Sequence, residues 1–421
     1  MKKFLILLIL VAVGAFAYYK FIYTNKNDLF EILDSTEEDT FYVDRYIIFG
    51  QYLNINSCID SSLDGNLSVV LKNKNNEIDL GANFINEDKT CFSFSEKNNE
   101  GIYLDSLNKG NYLLLVKQVN NGEIKYYNLI NKTEYNNLTY YTITNNNQNN
   151  KIYISFDNYN DKEYLNINIK PSKLPDDIYD ITIDPGHGGK DPGASFKLNN
   201  KVYNESEITL NISLKLKREL EDLGLKVKIT RDNDINLDNY GTLGRAVIPN
   251  KTKSKYSISI HINSSEGNIT YGGVEVYTPN DIDYSLAKSF ANNIGEIVGY
   301  SRKNTGKVFN GVYYTYFTRD DIKESKEEML NKNYKPYDME VGAPYMFMIR
   351  EVGGIATHAY VDGRNQVYGE NKYYNSNQTA EPYLLELGYI NYSKDLENLT
   401  KRPDAFAKAI SRAIEEHLNI S

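Results

Sequence analysis

The hydrophobic positions change rhythm part-way along the chain. From about Phe41 to Lys170, short alternating apolar runs such as "NLSVVLKN", "GNYLLLVKQV", "KIYISF" and "YLNINI" are separated by clusters of Asn, Asp and Gly. Side chains two apart share one face of a strand, so this rhythm predicts an all-β, sandwich-like domain over 40–170. The stretch "KPSKLPDD", with its two prolines, reads as a linker over 171–178. Beyond it strands and helices alternate. "DITID", "LKVKITR", "YSISIHIN", "GGVEVYT" and "PYLLELGYI" read as strands. "SEITLNISLKLKRELEDLG", "GTLGRAVIPNK", "YSLAKSFANNIGEIVG" and "DAFAKAISRAIEEHL" read as helices, the first with Ile208, Ile212, Leu216 and Leu220 at four-residue spacing and Gly224 at its end. This order predicts an α/β domain over 179–421 with a mostly parallel sheet and helices on both faces.

The first 25 residues follow neither rhythm. Two lysines precede an uncharged apolar run over 4–19, the pattern of a secretory signal or an N-terminal anchor. Ala15, Phe16 and Ala17 offer a cleavage site, but the run resumes with Phe21, Ile22 and Tyr23, which favours a membrane anchor with the rest of the chain outside the cytoplasm. Export gives the two cysteines, Cys58 and Cys91, an oxidising compartment; a disulfide and a pair of buried thiols are both open on sequence grounds. A net charge of -9 without a basic block argues against a nucleic-acid partner. The chain has no Trp and 37 Tyr, which makes Tyr its main flat, amphipathic contact surface.

Candidate chemistry gathers at the ends of the α/β strands, where ligands bind in open α/β sheets. In "ITIDPGHGGKDPGA" (181–194), His187 follows a strand inside a Gly-rich loop that permits close approach of a ligand. Glu205 stands at the start of the helix after that strand, and His261 lies at the end of "YSISIHIN". Two imidazoles and a carboxylate suit a catalytic zinc with a fourth position open to water. Each residue has a plainer reading: a hydrogen-bonded structural histidine, or a carboxylate favoured by the helix dipole. Their joint occurrence is what points to a metal. Glu207 competes with Glu205, but two residues turn it about 200° around the helix, so both cannot face one ion.

These motifs resemble the zinc-dependent N-acetylmuramoyl-L-alanine amidases of bacterial cell-wall hydrolysis, over about 181–298 and 381–416. "IDPGHGGKDPGA" is similar to the family's first metal motif, "NESEITLNISLKLKREL" to its Glu-bearing helix and "SISIHINS" to its second His motif. "KITRDND" and "LGRAVIPN" resemble the segments between them, and "PYLLELGYINYSKDLENL" the segment with the catalytic Glu. The resemblance implies one zinc per chain held by His187, Glu205 and His261, with Glu386 as catalytic base, and peptidoglycan as substrate. It implies an enzyme outside the cytoplasm, anchored or secreted to the wall. The same residues would also serve a peptidase acting within the stem peptide, and the fold alone a non-catalytic wall-binding protein. Asp184 is a candidate to orient His187; Arg231 and Arg245 read equally as ion pairs or substrate contacts. His417, near the end of the last helix, reads as a favourable partner of the helix terminus.

The stretch 300–380 is longer than the family pattern leads one to expect and reads as an insertion. It is dense in Tyr and carries His358, a weaker candidate for metal ligand or acid. A loop of this length is expected to fold into a flap or subdomain beside the site, with its tyrosines lining a substrate groove or forming a small core of their own.

Overall fold

The computed structural model describes residues 28–420 other than 82, 86–87, 89, 96–100, 144–148, 240, 242, 268, 281, 334–338, 358–372 and 374–375. The expected membrane segment over 1–25 and His358 lie outside the described residues. Among these, no helix is long and apolar enough to cross a membrane.

The N-terminal region is all β, as its alternation predicts. Its strands form one continuous hydrogen-bonded sheet. The joint is a parallel pairing of Phe41–Phe49 with Glu123–Asn131, against antiparallel neighbours on either side. Both halves of the sheet turn their alternate side chains into one core: Phe41, Leu53 and Phe92 from one, Leu71, Val116 and Ile154 from the other. Leu29 and Leu33, from a short helix over 28–34, cover Val70, Leu113 and Leu115 on the outer face. Cys58 and Cys91 sit opposite each other on antiparallel strands and form a disulfide.

The C-terminal region has a seven-stranded sheet in which Val227–Ile229, Ile181–Pro185, Tyr256–Asn263 and Glu381–Tyr389 run parallel in that spatial order. Glu275–Tyr277 joins the last of these antiparallel. Odd and even positions face different surroundings. Ile258, Ile260 and Ile262 with Tyr383, Leu385 and Leu387 enter the large core beneath helices Glu205–Asp222, Ser285–Val298 and Pro403–Leu418. Ser257, Ser259 and His261 with Leu384 and Glu386 therefore point to the opposite face, beside the short helices Ile248–Lys251 and Phe347–Gly353. The helix expected over "GTLGRAVIPNK" shrinks to Ile248–Lys251. Gly241, at φ 83°, and the turns up to Val247 keep the preceding residues out of helical geometry.

The two regions are joined by more than a linker. Gln378 and Thr379, just before the strand that carries Glu386, pair in parallel with Ile48 and Phe49 of the β region. The amides of Ile48 and Gly50 donate to the carbonyls of Asn377 and Thr379 at 2.8 and 3.1 Å. Ile47 and Phe49 enter the hydrophobic core of the α/β region itself. Beside them the buried Tyr256 hydroxyl donates to Gln51 Oε1 at 2.6 Å and lies 2.9 Å from His417 Nε2. This corrects the reading of His417: it does end a helix, but it is half-buried against Tyr256 at the junction, and partial desolvation lowers its pKa, with Asp283 opposing.

Candidate metal centre

The loop after strand Ile181–Pro185 has almost no room for side chains where it passes the histidines. A Cβ on Gly186 would lie 2.5 Å from His261 Cε1, and one on Gly193 would lie 2.6 Å from both Glu205 Oε2 and His187 Cδ2. His187 itself adopts φ 58°, a left-handed conformation that a non-glycine residue holds only where its surroundings enforce it. Two buried arginines supply that enforcement. Arg231 donates to the carbonyls of Pro185, Gly186 and Ser206 at 3.1, 2.8 and 2.9 Å, tying the loop to the start of the helix. Arg245 donates to the His187 carbonyl at 2.9 Å and approaches Asp184 Oδ2 at 3.4 Å. Both act on the backbone as structural clamps. Gly186 has no positive φ, and the three atoms nearest a Cβ there all belong to the His261 ring. Gly186→Ala is expected to lower kcat/KM about 100-fold by displacing that ring, with zinc content and far-UV circular dichroism showing a perturbed site in a folded protein.

Asp184 does not reach His187. It is fully buried and accepts from Thr230 Oγ1 at 2.7 Å and Ser259 Oγ at 2.9 Å, which locks three neighbouring strands together. The residue that orients His187 is Asp191, whose Oδ2 lies 2.8 Å from His187 Nδ1, while its Oδ1 accepts the Gly193 amide at 3.1 Å. A carboxylate on one imidazole nitrogen fixes the tautomer and leaves the other nitrogen free to act as a ligand.

That other nitrogen, His187 Nε2, lies 3.2 Å from Glu205 Oε1, and His261 Nδ1 lies 3.0 Å from the same oxygen. One potential ligand atom from each of the three residues falls within 4.8 Å of the others. Glu205 is the first residue of its helix and is 4% exposed. Its Oε2 accepts the Ala194 amide and its Oε1 the Ile262 amide, both at 2.9 Å, so the backbone aims the carboxylate. Burial pushes the Glu205 pKa up, but hydrogen bonds from His187 and His261 outweigh it and hold the carboxyl well below its ordinary range. Glu207 turns away, exposed, and accepts from Asn204 Nδ2. Two imidazole nitrogens and a backbone-anchored carboxylate converging on one point fit the donor set of a catalytic zinc.

Glu386 comes to the same place across the sheet. It is the register partner of His261 on one side and of Glu275 on the other. The ladder irregularity between His261 and Asn263 lies right beside it, as bulges near active sites often do. Burial first, then the charges of Glu205 and Glu275, push the Glu386 carboxyl well above the usual range, with Lys303 opposing them. Glu275 is a buried acid that the sequence reading passed over. It accepts from Tyr277, Tyr389 and Ser301 hydroxyls and lies 3.8 Å from Lys303 Nζ. A charge inside the apolar strand "GGVEVYT" was the available signal.

His187, His261 and Glu386 open into a cavity of about 370 Å³. Its lining mixes polar Asp191, Asn236, Asn239 and Arg245 with apolar Leu237, Leu384, Met346, Phe347 and Met348. The stretch read as an insertion thus borders the site. Among its described residues the lining comes from Met346–Met348 rather than from tyrosines. Tyr313 is instead buried with Tyr277, Ile349 and Leu384 in a small core.

Residues 181–341 match the N-acetylmuramoyl-L-alanine amidase family. The chain is 27% identical over 234 residues to a putative N-acetylmuramoyl-L-alanine amidase of Buchnera aphidicola, covering 55% of this chain and 91% of the relative. It is 39% identical over 114 residues to a probable cell wall amidase of Staphylococcus epidermidis, covering 26% of this chain and 34% of that one. The N-acetylmuramoyl-L-alanine amidase AmiC2 of Nostoc punctiforme aligns over 57% of this chain and 96% of its own, with 24% identity and a TM-score of 0.36. The family match contains all three converging ligand candidates and ends before Glu386, whose case rests on its place in the sheet. Over residues 181–341 the chain is similar to the N-acetylmuramoyl-L-alanine amidase family.

Proposed function

We propose that the protein hydrolyses the amide between the lactyl group of N-acetylmuramic acid and the L-alanine of the stem peptide in peptidoglycan. The observation that carries this reading is the convergence of His187, Glu205 and His261, inside the family-matched stretch, with a half-buried Glu386 that lines the same cavity. One zinc per chain would be held by the first three residues; when bound, it supplies a Lewis acid for the scissile carbonyl and for the attacking water. Glu386 takes the proton of the water whose oxygen attacks the carbonyl carbon. As the carbon–nitrogen bond breaks, Glu386 returns that proton to the departing alanine amine. Its raised pKa suits both halves of the cycle, because a carboxyl that holds a proton more readily than usual is the stronger base.

The substrate places the enzyme outside the cytoplasm, at the cell wall. The apolar segment over 1–25 would hold it at the membrane, with the β region between membrane and wall. Digestion of purified peptidoglycan by the full chain, followed by mass spectrometry, tests the bond assignment. Intact stem peptides with a free L-alanine amine are expected; shortened peptides with residues still joined to muramic acid would establish a peptidase instead.

A further inference from the structure

We infer that Asn236 is a substrate-contact residue whose carboxamide hydrogen-bonds a second, non-scissile amide of the substrate, next to the bond that is cut. The inference rests on the amidase reading above and adds a group that the chain recognises away from the reacting atoms.

The loop over 232–239 is built onto the loop that carries His187. Gly188 and Gly189 have φ 128° and 62°. A Cβ on Gly188 would lie 2.5 Å from the Ile235 carbonyl oxygen, and one on Gly189 would lie 2.4 Å from the Asn236 nitrogen. The last two residues of "DPGHGG" therefore let the second loop lie directly on the first. Hydrogen bonds fix the contact on both sides. The Gly189 amide donates to Asp234 Oδ1 at 2.7 Å, and Arg231 donates to the Asn233 carbonyl at 3.2 Å. The amides of Arg245 and Ala246 donate to the carbonyls of Asp238 and Asn239 at 3.0 and 3.2 Å. Asn236 is thereby held against the residue two places after His187.

Asn236 lines the same cavity as His187, His261 and Glu386. Its backbone lies against Gly189 while the residue is exposed, so the carboxamide is what it offers to the cavity. Two other polar lining residues are already engaged: Asp191 holds His187 and the Gly193 amide, and Arg245 holds the His187 carbonyl. The Asn236 side chain makes no hydrogen bond among the described residues. A carboxamide has an acceptor oxygen, two donor hydrogens and no charge, which complements the N–H and C=O of a neutral secondary amide. The substrate carries two such amides a few bonds from the scissile one. They are the 2-acetamido group of the muramic acid ring and the peptide bond that follows L-alanine.

The test uses the full chain with zinc and soluble N-acetylmuramoyl dipeptides: the parent, an analogue with hydrogen in place of the 2-acetamido group, and one with an (E)-alkene in place of the second peptide bond. The wild type is expected to prefer the parent about tenfold in kcat/KM over one of these analogues, the loss typical of one hydrogen bond. Asn236→Ala is expected to lower kcat/KM on the parent about tenfold and to cleave that same analogue as the wild type does, with zinc content and Tm unchanged. The analogue that the variant no longer distinguishes identifies which amide Asn236 meets. A loss in Asn236→Ala that is equal on all three substrates, or no loss on any, would overturn the inference and leave the amidase reading intact. Absence of cleavage of the parent by the wild type would instead count against the amidase reading.

Discussion

Glu386→Gln is expected to lower kcat by about 10² to 10⁴-fold while the protein stays folded and keeps its zinc. Glutamine has the size of glutamate but cannot carry a proton from water to amine. It also removes a half-buried carboxylate whose Oε2 has no hydrogen-bond partner among the described residues and which faces the charges of Glu205 and Glu275. The variant's Tm is therefore expected to equal or exceed that of the wild type, a gain in stability at the expense of activity. The pH dependence follows from the same environment. The base must be unprotonated to act, and its raised pKa means that the proton leaves only at higher pH. Activity should therefore rise with pH through a limb displaced above the ordinary glutamate range, and bound zinc, by adding positive charge, draws that limb downward. An unchanged kcat in Glu386→Gln would remove this residue from the chemistry.

Phe49→Ala is expected to destabilise the α/β region although residue 49 belongs to the β region. Phe49 is 0% exposed and sits in the core beneath the three long helices. Removing a buried phenyl ring typically costs about 3 to 5 kcal/mol. The backbone of Phe49 also pairs with Thr379, two residues before the strand that bears Glu386, so the loss falls at the base of the catalytic strand. Thermal unfolding followed at the amidase activity and by circular dichroism should show both falling together. A Phe49→Ala protein that unfolds in two steps, with the activity transition unmoved, would show that the β region is an independent spacer.

Much of the centre was legible because its signals are local. Strand parity and strand ends set out His187, His261 and Glu386, and the glycines of "DPGHGG" announced a crowded loop. The reason for the crowding was not legible: Gly186 and Gly193 make room for His261 and Glu205, residues 75 and 12 positions away. Asp191 was missed for a related reason. The carboxylate that reaches His187 depends on a left-handed turn at the histidine itself, which makes Asp191 a closer partner than the nearer-seeming Asp184. The pairing of Ile48 with Gln378 spans most of the chain, and no local rhythm encodes such a contact. In the stretch 300–357, tyrosine density suggested a lining. The tyrosine ring also suits a small core, however, and it is the plainer run Met346–Met348 that reaches the cavity.

In the proposed centre His187, Glu205 and His261 hold zinc and Glu386 performs proton transfer beside it. Zinc content per chain, measured by mass spectrometry alongside amide hydrolysis for wild type, His261→Ala and Glu386→Gln, separates these roles. One zinc in wild type and Glu386→Gln, little in His261→Ala, and hydrolysis in wild type alone is the predicted result. Full zinc in His261→Ala, or zinc lost with Glu386→Gln, would contradict the assignment of ligands and base.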